Sequence, residues 1–94
     1  MSALELPDGL KLARTTPVFD EGSVPVGLLS AHQVAEDVWG RVIVKTGALD
    51  FVFEDAPTDV IHLVAGDHQV IPPQRPHHVQ PVGSVTFCVE FHRR

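Results

Sequence analysis

Ninety-four residues carry seven Lys and Arg against twelve Asp and Glu, a formal net charge of −5, with 44% of the chain hydrophobic. That length suits one domain, taken as residues 1–94, with one modest core; it excludes a dinucleotide-binding fold joined to a substrate domain. The basic residues are scattered, which excludes a phosphate-tracking surface, so neither nucleic acid nor an anionic membrane is expected as a partner.

The opening "MSALELPDGLKLARTTPVF" lacks a basic segment leading into an apolar one, and no apolar run approaches the roughly 18 residues of a membrane span. Cys88 stands alone, so no internal disulfide is available, and a reducing, cytoplasmic location is expected. In chain order, "LKLARTT" and "VPVGLL" are the first, weaker strand candidates, with Pro25 pointing to an edge. "LLSAHQVAEDVW" is too short and too ambiguous in its apolar spacing to predict a helix. "RVIVKTGALDFVF" contains two β-rich runs, 41–45 and 48–53, and Thr46-Gly47 between them predicts a hairpin.

"DVIHLV" over 59–64 is a further strand, and Ala65-Gly66-Asp67 predicts a turn into "HQVI" over 68–71. "HHVQ" and "SVTFCVEFH" follow, separated by Pro81-Val82-Gly83. Seven to eight short strands at short intervals predict an all-β sandwich or small barrel. Alternation puts Leu49, Phe51 and Phe53 on one core face, and Phe87, Val89 and Phe91 on another.

Candidate chemistry rests on histidines and one acid. In "IPPQRPHHVQP" the prolines stiffen the approach to His77 and His78. His77 alternates with Val79 and points inward; His78 alternates with Gln80 and points outward. A buried imidazole needs hydrogen-bond partners or a metal, and His77 admits either. His62 reads as an edge histidine, His68 as solvated beside its turn, and His92 as part of a frayed terminus. The polar surroundings of His32 give no sign of burial. Glu90 lies in "FCVEF", so its carboxylate faces solvent or is paired inside with a cation or metal. Two histidines and a carboxylate suit Fe, Zn, Ni or Mn. No Gly-rich phosphate loop, G-x-S-x-G, CxxC or HExxH occurs, and Cys88 reads as a buried, inert thiol.

The stretch from Gly66 to His77 resembles the second cupin motif, which runs Gly, five residues, Pro, one residue, Gly, two residues, His. Gly66, Pro72 and His77 fall in register, and Gln74 stands at the second glycine. Of the first cupin motif, Gly47 matches the last glycine, Gly40 stands at the glutamate, and only His32 precedes it. "RTTPVF", "VPVGLLSAH", "WGRVIVKTGALDFVF", "IPPQRPHHVQP" and "FCVEF" together are similar to the TehB/YeaR-like family of small cupin-type barrels, over nearly the whole chain.

The resemblance implies an antiparallel cupin-like jelly-roll barrel. It also implies a divalent metal (Zn, Fe, Ni or Mn) on His32 and His77, with Glu90 as third ligand. Arg41 falls at a position that is basic in relatives, where it either orients an anionic ligand or forms an outward ion pair. A homodimer through an edge strand is expected. So is a small molecule or oxyanion as ligand, with a link to tellurite, oxyanion or nitrosative stress. Relatives carry such a barrel before a methyltransferase domain; that activity is not expected of this barrel. Three functions remain open: a metal-binding small-molecule site, a non-catalytic sensor or binding module, and a metal-free barrel acting with a partner enzyme.

Overall fold

A computed structural model describes residues 4–29 and 33–94. Six strands form one antiparallel sheet that curls into an open, cupin-like barrel. They are β1 (Lys11–Thr15), β2 (Phe19–Asp20), β3 (Trp39–Phe53), β4 (Ile61–Val64), β5 (His68–Ile71) and β6 (His77–Arg93). The segment "VPVGLL", expected as a strand, instead forms a 3-10 turn over Val26–Leu29. Leu28 amide bonds to the Pro25 carbonyl at 2.9 Å; the fixed φ of Pro25 favours a tight turn there over a ladder.

Two expected breaks are absent, so expected strand pairs fuse. Thr46-Gly47 makes no hairpin: β3 runs unbroken for 15 residues beside β6, with register shifts between Val44 and Thr46 and between Gly47 and Ala48. Gly47 has φ +76°, and a Cβ there would lie 2.0 Å from the Ser84 carbonyl oxygen. A turn signal and a bulge signal are the same residue type; here the close Ser84 backbone selects a bulge. Pro81-Val82-Gly83 likewise lies inside β6, 17 residues long. The first half of β6 pairs with β3 alone, since β1 and β2 join only its second half, so the missing donor of Pro81 breaks no second ladder.

From Ile61 to Ile71 the chain runs back along β3, β4 beside residues 48–51 and β5 beside residues 40–43. It breaks step at Gly66, φ +94°, whose amide bonds to the Val44 carbonyl at the β3 bulge. Three long bent tracks therefore curl around one core. Leu49, Phe51 and Phe53 meet Phe87 and Val89 there, as alternation predicts, with Leu63, Ile71 and Val79. No helix among the described residues is long and apolar enough to cross a membrane.

Candidate functional site

The approach to His77 is built as the prolines suggest. Pro72 and Pro73 lead to Gln74, which takes φ +59°, a left-handed value rare outside glycine. This is the position at which the cupin motif has glycine. The backbone requirement is thus met by a side chain that tolerates it poorly, and the Gln74 amide bonds to the Val34 carbonyl at 2.9 Å.

His77 then enters β6 almost completely buried, with 2% exposure. Its Nδ1–H donates to the Arg75 carbonyl at 3.0 Å, and its ring stacks on Phe51 with centroids 5.3 Å apart. A carbonyl oxygen can only accept, so Nδ1 carries the proton of that bond. Arg75 is itself held: its guanidinium lies 3.6 Å from the Phe53 ring centroid and donates to both carboxylate oxygens of Asp55. Arg75 is a positioning residue, acting on His77 through its carbonyl.

His77 forms part of the wall of a cavity of about 210 Å³. Val42, Ile71, Val79 and Val89, all buried, complete its apolar floor; Arg14, Pro25 and Gly27, all exposed, lie at its rim. Thr16 also lines it, but its hydroxyl is spent: it accepts from the Val89 amide and donates to the Pro17 carbonyl, each at 2.9 Å.

The other nominated residues lie elsewhere. His32 falls outside the described residues. Glu90 alternates with Val89 and Phe91, which line the cavity, so its carboxylate faces the opposite side of β6. There the Arg41 Nε and Nη2 donate to Glu90 Oε1 at 3.1 and 2.8 Å, and His92 Nε2–H donates to the same oxygen at 3.0 Å. Burial raises the Glu90 pKa, but the bonds from His92 and Arg41 and the charge of Arg41 outweigh it and hold the group below its ordinary value. Arg41 is thus the outward ion-paired arginine of the two alternatives. His92, expected at a frayed end, is fixed in β6 with its side chain only 12% exposed.

The remaining histidines sort much as expected. His78 sits on the outer side bonded to Glu54 at 2.8 Å, His62 is exposed and bonded to Asp50, and His68 is exposed. Among the described residues no cluster of three or more His, Cys, Asp or Glu is placed to hold a metal. Gly40, at the cupin glutamate position, is buried; a Cβ there would press on Ile71 at 3.2 Å and on Val34 at 3.4 Å. The described part of the cavity therefore offers one imidazole and no carboxylate, which is not a complete cupin ligand set. Sequence reasoning missed Arg14 and Arg75, because no local pattern marks which face an arginine takes.

A family model for the TehB-like domain matches residues 14–89. Among solved structures, a protein of E. coli K12 superposes with TM-score 0.85 at 24% identity, covering 95% of each chain. TehB from Haemophilus influenzae superposes with TM-score 0.82 at 20% identity, covering 90% of this chain and 32% of that one. A cupin-2 domain protein of Shewanella frigidimarina follows with TM-score 0.54 at 21% identity, covering 90% and 67%. At such identities these likenesses establish the fold. No curated protein matches the chain.

Proposed function

The chain belongs to the TehB-like domain family, and from that premise we propose that it is a small-molecule-binding cupin-type domain whose site is the cavity beside His77. The observation that carries this reading is the wall itself. A nearly buried histidine is held in one orientation by a carbonyl and an aromatic ring, next to apolar space. Orientation of a single polar group over an apolar floor is how small-molecule sites achieve specificity. The oxyanion- or nitrosative-stress link implied by the family is, for this chain, part of the same proposal. The test is a fragment screen followed by backbone and methyl NMR. Small apolar fragments should shift Val42, Val79 and Val89 together, and Val89→Phe, which fills the cavity, should abolish the shifts. Fragments that perturb only other surfaces, or that bind Val89→Phe unchanged, would end the proposal.

A second reading, metal binding, is favoured by the Nδ1 anchor, since metal-bound histidines donate their other nitrogen to a carbonyl or carboxylate in this way. Zn, Fe, Ni or Mn would take His77 through Nε2, with His32 as the second ligand nominated by the family resemblance. Glu90 is committed to Arg41 and His92 on the outer side of β6 and does not reach such a metal. Untagged protein titrated with each of these metals decides the point. Stoichiometric uptake with a raised Tm, both lost in His77→Ala, is the expected result if the second reading holds. No uptake and no change in Tm rejects it.

A further inference from the structure

The rim of the cavity carries a feature that its apolar floor does not explain. Cross-strand partners point to the same side of a sheet, and in the β1–β6 pairing Leu12 faces His92 while Arg14 faces Phe91. Two steps on β1 thus match one step on β6: there is a bulge at Ala13. Without it Arg14 would share the side of Leu12, away from the cavity. The bulge turns it over, beside Thr16, onto the cavity side, where the guanidinium carbon lies 5.9 Å from the Phe91 ring centroid. Re-aiming one side chain at a site is a recurrent use of such bulges.

Charge distribution adds a second, independent argument. The chain has twelve acidic residues and a net charge of −5, yet no Asp or Glu lines this cavity among the described residues. Among the described residues its one permanent charge there is Arg14, which makes no ion pair with any described acid. A guanidinium fork matches a carboxylate, which it binds through two parallel hydrogen bonds. Size narrows the rest. An apolar cavity of about 150 Å³ is enough for benzene, and this one measures about 210 Å³. We propose that the cavity takes a small carboxylate with a compact apolar body, its carboxylate on Arg14 at the rim and its body on the floor formed by Val42, Val79 and Val89.

This inference rests on the cavity being the binding site, and the experiment separates the two. Benzoate and hexanoate are titrated by NMR against benzyl alcohol, a neutral molecule of similar shape, on wild type and Arg14→Gln. Arg14 is exposed on an edge strand, so the variant keeps its core. Benzoate should bind wild type more tightly than benzyl alcohol and weaken with added salt. Arg14→Gln should cost benzoate about tenfold and leave benzyl alcohol unchanged. Equal binding of the acid and the alcohol, or benzoate binding that is indifferent to Arg14→Gln and to salt, overturns the carboxylate inference and leaves the cavity reading standing. If neither molecule shifts Val42, Val79 or Val89, both fall.

Discussion

At the scale of single residues, two backbone positions answer to opposite tests. Gln74 sits at φ +59° with its side chain exposed, so the side chain adds little that would offset the conformational cost. Gln74→Gly should stabilise the protein by about 0.5–1 kcal/mol, since left-handed backbone costs an L-residue roughly 1–2 kcal/mol and glycine returns part of that gain as lost chain entropy. Tm should rise by a few degrees in a melting scan; an unchanged or lower Tm would show that the segment relaxes around glutamine. Gly47→Ala should do the reverse. It asks for the same unfavourable φ and sets a methyl group 2.0 Å from the Ser84 carbonyl oxygen. A loss of about 3 kcal/mol is expected from urea titration, because backbone, unlike a side-chain tip, cannot swing aside. Both glycine positions of the cupin outline were legible in the sequence. So was the glutamine at the second of them; that Gln74 takes the left-handed conformation was not, because glutamine carries no signal for that region.

At the scale of elements, β3 and β6 are stitched on the outer side by Arg41, Glu90 and His92. Arg41 and Glu90 are register partners, and the Glu90 pKa is lowered by this contact. A carboxyl whose folded-state pKa lies below its unfolded value stabilises the fold fully above the unfolded value, near 4.5. The contribution declines as pH falls below that and is lost below the folded-state value. Glu90→Gln should therefore be less stable than wild type at pH 7, by roughly 1 kcal/mol for a partly exposed pair. The two proteins should converge in acid. Parallel stability curves with no convergence would show that Glu90 acts by packing and not by charge. The sequence marked Glu90 as unusual and named a cationic partner as one outcome; it could not say that its partners were 49 residues back on β3 and two residues on along β6.

For the molecule as a whole, the long β3–β6 ladder carries both ends of the barrel, while β1 is an edge strand with all five residues exposed. Amide hydrogen exchange should be slowest in Val42–Val44 and Phe87–Val89, where β6 is paired on β3 and the side chains of Val42, Val44, Phe87, Cys88 and Val89 are buried. Among the strands it should be fastest in β1, whose outer edge is unpaired among the described residues. Exchange in β1 as slow as in β3 would show that a second copy or another chain covers that edge. The predicted strand positions 41–45, 48–53, 68–71 and 84–92 all lie within observed strands. Apart from "VPVGLL", which turns where a strand was expected, what failed was punctuation. Gly47 and Pro81 look like breaks in one dimension, yet both sit inside continuous strands.

Alternation of side chains alone put Phe51, Phe87 and His77 inside and His78 outside, because the strand period is a local property of the backbone. The strand-rich, turn-punctuated pattern was enough to specify an all-β domain, since each run can bury only one or two faces. The tertiary structure decided everything that depends on residues far apart in sequence meeting. Ser84 turns Gly47 into a bulge, Glu90 claims Arg41, and β6 shifts the phase of β1 so that Arg14 faces the cavity. Each of these is a question of register between strands, and a one-residue shift in register reverses which side a charge is on. No local pattern encodes that shift, so the cavity and the charge at its rim belong to the fold alone.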